Sequence, residues 1–363
     1  MSNEKAEKLK NLFKLSVVLA TAMVAFNTNG QDIRYSQYYT LLPALNPAAT
    51  GAFGGDYRFL ADYRSSNYSA AKPFPTIFAS WDQGVAKYKK SDGQLRTSYF
   101  GWGLSFLNDK AGLGGLTTQI INASISYTIR LSEEHWLTTG FRAGYTTKRV
   151  DYSGLSWGTQ WVDNDGSYNP NGPTDPLTKI ESVSYVPISA GLLWNFARED
   201  KLKINAGAAV NSINQPNAAF DQKLAEKVPL QIVANAGAEW IIPNTVLGLM
   251  PQVLFTNESY KSDVTGGILV KWYLSFDSKM THIKKSSALY GGIFYRSSQD
   301  LTIMGKFELR RNMALGMSYD IDISAVSDAT TIKQRSALEI VFTYAGFFKE
   351  RTLLPRKGSI EFF

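Results

Sequence analysis

The amino-acid sequence predicts an all-β fold, a transmembrane antiparallel β-barrel of about 14 strands that follows an N-terminal signal peptide. Three observations lead to this prediction. A short basic and apolar leader opens the chain, and roughly 300 residues of alternating apolar and polar runs follow it. After residue 31, no apolar run is long enough to form a membrane-spanning helix.

The leader has the architecture of an export signal. Four lysines lie within residues 1–14, and residues 15–26 (LSVVLATAMVAF) form an apolar core shorter than the ~20 residues that a spanning helix needs. Polar residues 27–29 end this core, so we expect residues 1–30 to be a signal peptide cleaved between Gly30 and Gln31. An uncleaved N-terminal membrane anchor is the alternative.

Composition agrees with export and argues against several functions. The 363 residues include no cysteine, so neither a disulfide framework nor thiolate chemistry is expected. Residues 1–30 hold four lysines and two glutamates, so their removal lowers the formal charge from +7 to +5. That excess is small and no basic run is long, so nucleic acid is not an expected partner. Twenty-nine glycines and 13% aromatic residues suit strands with tight turns.

Residues 55–348 divide into runs that would form the barrel wall. Period-two alternation places polar side chains on one face and apolar side chains on the other, as in 301–309 (LTIMGKFEL). A soluble sandwich shows the same alternation, but runs of ten or more residues with aromatics near their ends favour a membrane barrel. The aromatics concerned are Trp136, Trp240, Trp272 and Phe348. The runs are 55–65, 74–84, 97–108, 117–130, 134–148, 180–196, 201–214, 229–243, 245–257, 261–276, 287–297, 299–309, 311–323 and 336–348.

The connections between runs predict the orientation. If the chain enters the first strand from the periplasm, odd-numbered connections face the outside and should be the longer ones. Connections three, five, seven and thirteen (109–116, 149–179, 215–228 and 324–335) are expected to be long, whereas most even-numbered ones are tight. The second and tenth (85–96 and 277–286) break the trend, and the eleventh is short.

Residues 31–54 precede the wall and form a candidate contact region. Pro43 and Pro47 exclude a regular helix or a central strand, so we expect this segment to lie in the periplasm or inside the lumen. It would then either plug the barrel or contact periplasmic partners. The residues selected for this role are Tyr35, Ser36, Gln37, Tyr38, Asn46 and Pro47.

The connection 150–179 is the second candidate region. It mixes aromatic and polar residues as interface cores do, and it either docks a partner or packs over the barrel mouth. The residues selected are Tyr152, Trp157, Trp161, Asp163 and Tyr168. The stretch 163–166 (DNDG) resembles a calcium loop but lacks the later bidentate glutamate, so an acidic turn is expected and no metal.

The sequence gives almost no support for catalysis. His135 and His282 are the two histidines, and both are expected in exposed turns without a nucleophile beside them. We therefore expect neither an enzyme nor a cofactor. Arg58, Asp62 and Arg64 share one strand face and are expected to form a lumenal charge network instead.

Several stretches in order along the chain resemble the PorP/SprF family of outer-membrane proteins, which belongs to the type IX secretion and gliding machinery of Bacteroidota. They are SQY (36–38), LNPAATGAF (45–53), GLSFLNDKAGLGGLTTQIINASISYTIRL (103–131), YSGLSWGTQW (152–161), SAGLLWNF (189–196), INAGAAVNSINQPNAAF (204–220) and LGMSYDIDIS (315–324). Two features depart from the family: Ala48 and Ala49 replace a bulkier residue, and residues 349–363 form an unusual C-terminal tail.

The resemblance implies an integral protein of the bacterial outer membrane that helps to deliver, dock or anchor secreted proteins. Expected partners are secreted surface proteins with type IX C-terminal sorting domains, including large adhesins with type B domains. Periplasmic or outer-membrane components of the same system and the lipid bilayer are further expected partners. A transport channel or porin is the alternative function, because a polar lumen suits it equally well.

Overall fold

A computed structural model gives the fold of this chain. The residues that it describes are 34–66, 74–85, 87, 96–111, 115–150, 160–162, 167–168, 181–198, 201–220, 225–259, 261–275, 286–298, 300–323 and 336–348. The predicted signal peptide, the Gly30–Gln31 cleavage site, His282 and the tail 349–363 lie outside these residues. Within the described ranges, no helix combines the length and apolar character needed to cross a membrane.

The wall is a closed antiparallel sheet. Its strands pair in succession around the wall, and the first strand pairs with the last to complete the circle. The strands are β1 Tyr57–Ser66, β2 Phe74–Val85, β3 Ser98–Ala111, β4 Leu116–Arg130, β5 His135–Val150, β6 Trp161–Val162, β7 Ser167–Tyr168, β8 Glu181–Tyr185, β9 Ile188–Arg198, β10 Leu202–Asn211, β11 Gln231–Ile241, β12 Leu247–Glu258, β13 Lys261–Ser275, β14 Ser287–Arg296, β15 Asp300–Leu309, β16 Met313–Asp322 and β17 Ala337–Gly346.

Fourteen strand positions make up the circle, as predicted. β8 and β9 occupy one position, since both pair with β5 and only Val186 and Pro187 separate them. β6 and β7 form a separate two-stranded sheet outside the wall. Closure leaves no unpaired edge within the hydrocarbon layer, where each orphan backbone group would cost several kcal/mol.

The alternation of each strand separates a lipid-facing surface from a lumen-facing one. On β15, Ile303 and Phe307 are exposed, whereas Thr302, Lys306 and Glu308 are buried inside. Trp240, Trp272 and Phe348 also face outward, as predicted. Trp136 was expected among these outer aromatics, but it points into the lumen and is 1% exposed, because it shares the inward phase of Thr138.

Two local predictions were wrong. The third connection is only residues 112–115, because β3 and β4 continue to pair as far as Ala111 and Leu116, and the positive φ of Gly115 permits a tight turn. His135 begins β5 and is half-buried against Trp194 and Phe196, so it is not a freely exposed turn residue.

The two ends of the barrel differ in the connections between strands that they carry. The odd end carries the odd-numbered connections, which include 151–180, 212–230, 297–299 and 323–336, and the even end carries the even-numbered ones. β1 starts at the even end. Most of the connecting residues lie at the odd end, and we predict that this end faces the cell exterior.

Candidate functional site

Residues 34–53 occupy the lumen and form the candidate site, which we call the lumenal segment. Their local structure is short: one helical turn, Leu42–Leu45, and a 3-10 turn, Pro47–Ala49. The Asn46 side chain accepts a hydrogen bond from Ala48 N (2.9 Å) and so caps the second turn. Pro47 disfavours a helical conformation at the residue before it, so Asn46 is extended and the first turn ends there.

The lumenal segment starts at the odd end. Arg34 donates to Ser298 Oγ (3.2 Å) and lies 3.8 Å from the Asp300 carboxylate, beside the turn between β14 and β15. Arg296 donates to the backbone oxygen of Tyr35 (3.2 Å). The chain then descends to the even end, where Asp56 precedes β1. The segment therefore spans the lumen from one end to the other.

A buried charge network holds the first turn of the segment. Arg64 donates to Asp320 (2.7 Å) and Glu339 (2.9 Å) on the opposite side of the β1–β17 seam. Glu339 also accepts hydrogen bonds from the backbone N–H groups of Ser36 (2.8 Å) and Gln37 (2.7 Å), and the Ser36 hydroxyl donates to Asp320 (2.7 Å). All five groups are less than 9% exposed, so these bonds form with little competition from water.

Aromatic packing fills the middle of the lumen. Tyr38 and Tyr39 pack on Phe294 with ring centroids 5.9 and 6.0 Å apart, and the Lys306 ammonium lies 5.6 Å from the Tyr39 ring. Beside the two tyrosines, towards β10–β12, remains a cavity of about 30 Å3, enough for a single water molecule. The lumen is therefore filled rather than open at this level.

Glycines of the wall create the seat for the Asn46–Pro47 turn. A Cβ atom at Gly140 would overlap the Pro47 carbonyl, and one at Gly191 would overlap the Asn46 side chain. Asn46 Nδ2 donates to Leu192 O (3.0 Å), so the side chain is bonded to the wall at the point of closest approach. Arg142 adds a second fixing point, because it donates to Ala44 O (2.7 Å) and to Asn211 (2.7 Å).

A second ion pair holds the end of the segment. Arg58 forms a two-pronged contact with Asp82 (2.9 and 2.7 Å) and also donates to Ala49 O (3.1 Å), while Gly51 N donates to Asp82 (2.7 Å). Phe53 lies under two cations, with Arg58 4.5 Å and Lys87 4.6 Å from its ring. Both ends of the lumenal segment are thus bonded to buried charges of the wall.

Another buried charge network lines the lumen near the even end. Glu239 accepts from Lys271 (2.9 Å) and Tyr273 (3.2 Å) and lies 3.6 Å from Lys203. Arg58, Asp62 and Arg64, which were predicted to form one lumenal network, are all buried, but they do not bond to one another: Arg58 pairs with Asp82, and Arg64 pairs with Asp320 and Glu339. Asp62 is buried, and neither of its carboxylate oxygens has a hydrogen-bond partner among the described residues.

The structure brings one set of predicted residues together and leaves the other set only partly described. Tyr35, Ser36, Gln37, Tyr38, Asn46 and Pro47 all lie buried in the lumenal segment. In the loop, Trp161 is 55% exposed and its backbone pairs with that of Tyr168, whereas Tyr152, Trp157 and Asp163 lie outside the described residues. The 163–166 stretch, for which no metal was expected, lies there too.

Sequence reasoning missed wall residues that bond to the segment, and four of them are central to its attachment. They are Asp82, Arg142, Asp320 and Glu339. Each is a polar residue in the inward phase of its strand, which was the available signal, but nothing in the sequence indicates which inward residue meets which part of the segment.

A closed wall with an apolar exterior and a filled polar lumen defines the class of this protein: an integral barrel of the bacterial outer membrane. The family model "Type IX secretion system membrane protein PorP/SprF" matches residues 27–344. The chain therefore belongs to the PorP/SprF family, and the resemblance drawn from its sequence is confirmed. Among curated protein sequences, none matches this chain.

Solved structures similar to this chain include two toluene transporters and a FadL homologue. The toluene transporter TodX of Pseudomonas putida is 10% identical, with a TM-score of 0.45 over 89% of this chain and 96% of TodX. The toluene transporter TbuX of Ralstonia pickettii is 10% identical, with a TM-score of 0.46 over 82% and 91%. A FadL homologue of Pseudomonas aeruginosa is 9% identical, with a TM-score of 0.42 over 82% and 92%.

Proposed function

We propose that this barrel docks or retains secreted proteins at the outer surface of the outer membrane as part of the type IX secretion system. The cargo would be surface proteins with C-terminal sorting domains, such as large adhesins with type B domains. Family membership supports the secretion role. The single observation that favours docking over passage is the lumenal segment, which spans the barrel from one end to the other.

The bonds of the segment make passage through the lumen costly. A cargo chain would have to displace the backbone bonds to Glu339 and Asp82 and leave both carboxylates short of partners. Each buried polar group left unsatisfied costs about 1–3 kcal/mol. A rigid, filled barrel is better suited to present a surface than to conduct a polypeptide.

The odd end is the surface that we assign to cargo. It carries most of the connecting residues, including the loop with Trp161, whose exposed indole is the type of residue that dominates interfaces. Tyr35, Ser36, Gln37 and Tyr38 are buried, and a partner would reach them only after the segment left the lumen. Periplasmic or outer-membrane components of the secretion system would bind other parts of the exterior.

Detergent pull-down of the tagged protein tests the proposal. We expect secreted proteins with type IX sorting domains to co-purify, and we expect Trp161→Ala to reduce their recovery. Trp240→Ala, which removes an exposed tryptophan from the lipid-facing side, serves as the matched control. Recovery of neither a sorting-domain protein nor a secretion component with the unaltered protein would refute the docking function.

A transport channel is the second candidate, and the polar lining of the lumen favours it. Planar-bilayer recordings of the purified protein separate the two functions. Docking predicts electrical silence, because the lumenal segment fills the pore. Large and stable currents from the full-length protein would support transport instead.

A further inference from the structure

Among the described strands of the wall, one has an edge that pairs with no other described strand. β8 (Glu181–Tyr185) pairs along its whole length with Thr146–Val150 of β5, but no described residue pairs with its other side. Every other strand of the described wall has a neighbour on both sides. An exposed edge offers unpaired N–H and C=O groups to any extended chain, and closed barrels normally remove such edges.

The edge is free because β10 turns away from it. β10 ends at Asn211, and the positive φ of Ser212 (56°) redirects the chain. The Asn214 side chain then bonds to the junction between β8 and β9, where it donates to Val186 O (2.7 Å) and accepts from Ile188 N (3.0 Å). Beyond this point β8 continues with β5 alone.

The free edge lies outside the lipid layer. Phe106, Ile121 and Tyr145 pair across β3, β4 and β5 and form the last exposed apolar row towards the odd end. The next row is polar, with Asn108, Gln119 and Thr147, and Ser184 of β8 belongs to it. β8 therefore stands above the apolar belt, where water or a partner would meet it.

Three cations lie on the β3 and β5 side of the edge, and one glutamate, Glu181, stands on β8 itself. Lys110 and Arg149 are exposed at the tips of β3 and β5, and Lys148 lies 5.9 Å from the ring of Tyr185. None of these three cations makes an ion pair with a described residue. An extended segment that carried carboxylates would find complementary charge as well as free backbone groups at this edge.

We propose that the free edge of β8 binds an extended acidic segment of a secreted partner as an added β-strand. This inference rests on the proposed docking function and specifies its site and its mode. Backbone hydrogen bonds to β8 would provide most of the affinity, and Lys148 and Arg149 would select acidic over basic segments.

Synthetic peptides provide the direct test with the purified full-length barrel in detergent. The probe is a dye-labelled ten-residue peptide of alternating glutamate and valine, compared with one of alternating lysine and valine. We expect the acidic peptide to bind roughly tenfold more tightly or better. A peptide N-methylated at every backbone amide should lose binding, because strand addition requires its N–H groups. Equal binding of the acidic and basic peptides, or retained binding of the methylated one, overturns the proposal.

Variants locate the binding. Arg149→Glu should weaken the acidic peptide about fivefold or more, and Arg310→Glu, the same charge change in an exposed turn at the even end, should not. Since the chain contains no cysteine, a peptide with one cysteine should form a disulfide with Ser184→Cys and not with Ser132→Cys. Cross-linking at both positions, or an unchanged affinity for Arg149→Glu, contradicts the assignment to β8.

The cargo pull-down distinguishes a failure of the β8 site from a failure of the docking function. If sorting-domain proteins co-purify equally with the unaltered protein and with Arg149→Glu, the barrel docks cargo but β8 is not the site, and the edge proposal fails alone. If no such protein co-purifies with the unaltered barrel, the docking function fails whatever the peptides do. No saturable binding of the acidic peptide up to about 1 mM also overturns the edge proposal.

Discussion

Glu339→Ala should release the first turn of the lumenal segment. Glu339 is fully buried and accepts hydrogen bonds from Ser36 N, Gln37 N and Arg64 at 2.7–2.9 Å. Its removal leaves three buried donors short of an acceptor, and each such loss costs about 1–3 kcal/mol. Only the Ser36 and Gln37 donors belong to the segment, so at about 1 kcal/mol per donor its opening becomes about 2 kcal/mol easier, which is roughly a 30-fold rise in the opening equilibrium.

Cysteine labelling measures that opening. The chain has no cysteine, so Thr40→Cys supplies one small thiol within the segment, at a position that is 4% exposed. The maleimide labelling rate of this thiol in the folded barrel should rise roughly 30-fold when Glu339→Ala is added. Glu339→Gln, which keeps one acceptor oxygen, should lie between the two.

The control is a glutamate of the same kind in an exposed pair. Glu134 lies 3.1 Å from Arg198, but the two side chains are 36% and 61% exposed, and such pairs contribute about 0–1 kcal/mol. Glu134→Ala should therefore leave labelling of Thr40→Cys nearly unchanged. Equal labelling rates with and without Glu339→Ala would refute the view that this carboxylate holds the segment in place.

Three further predictions concern the same segment. Gly140→Ala should destabilise the folded barrel by about 1–3 kcal/mol, measured as the urea midpoint of its gel-mobility shift, whereas Gly291→Ala, whose new methyl meets nothing within 4 Å, should not. An epitope tag placed directly after Gln31 should bind antibody on intact cells, because three residues reach at most ~11 Å from Arg34; a tag at 242–246 should remain inaccessible, and the reverse pattern would invert the predicted orientation. Deletion of 34–53 should produce currents in planar bilayers that the full-length protein lacks, and continued silence would show that other side chains close the pore.

The strands could be predicted because their signal is local. In 301–309 each neighbour alternates in polarity, so the period and the two faces can be read without knowledge of any partner. The error at the third connection has the same origin. The connection was expected to span 109–116, but pairing across the hairpin continues as far as Ala111 and Leu116 and shortens it.

The site could not be predicted to the same depth, because its bonds join distant parts of the chain. The inward phase of Arg64 identified it as lumenal, but its acceptors Asp320 and Glu339 lie more than 250 residues away. Gly140 and Gly191 are needed because the Asn46–Pro47 turn packs directly against them, and the sequence does not show where that turn packs. These matches are properties of the closed barrel rather than of any stretch of sequence.

Closure of the wall and binding of the lumenal segment stabilise each other. Arg64 on β1 stands opposite Glu339 on β17, so the pair forms only when the first and last strands meet. The same carboxylate then receives the backbone N–H groups of Ser36 and Gln37. A barrel closed without the segment would bury Glu339 with only Arg64 as partner, and a segment without the closed seam would lack its acceptor. The segment therefore stabilises the β1–β17 seam that encloses it. Loss of the hydrogen bonds at Glu339 should weaken the pairing of β1 with β17 before the pairing of any other two strands.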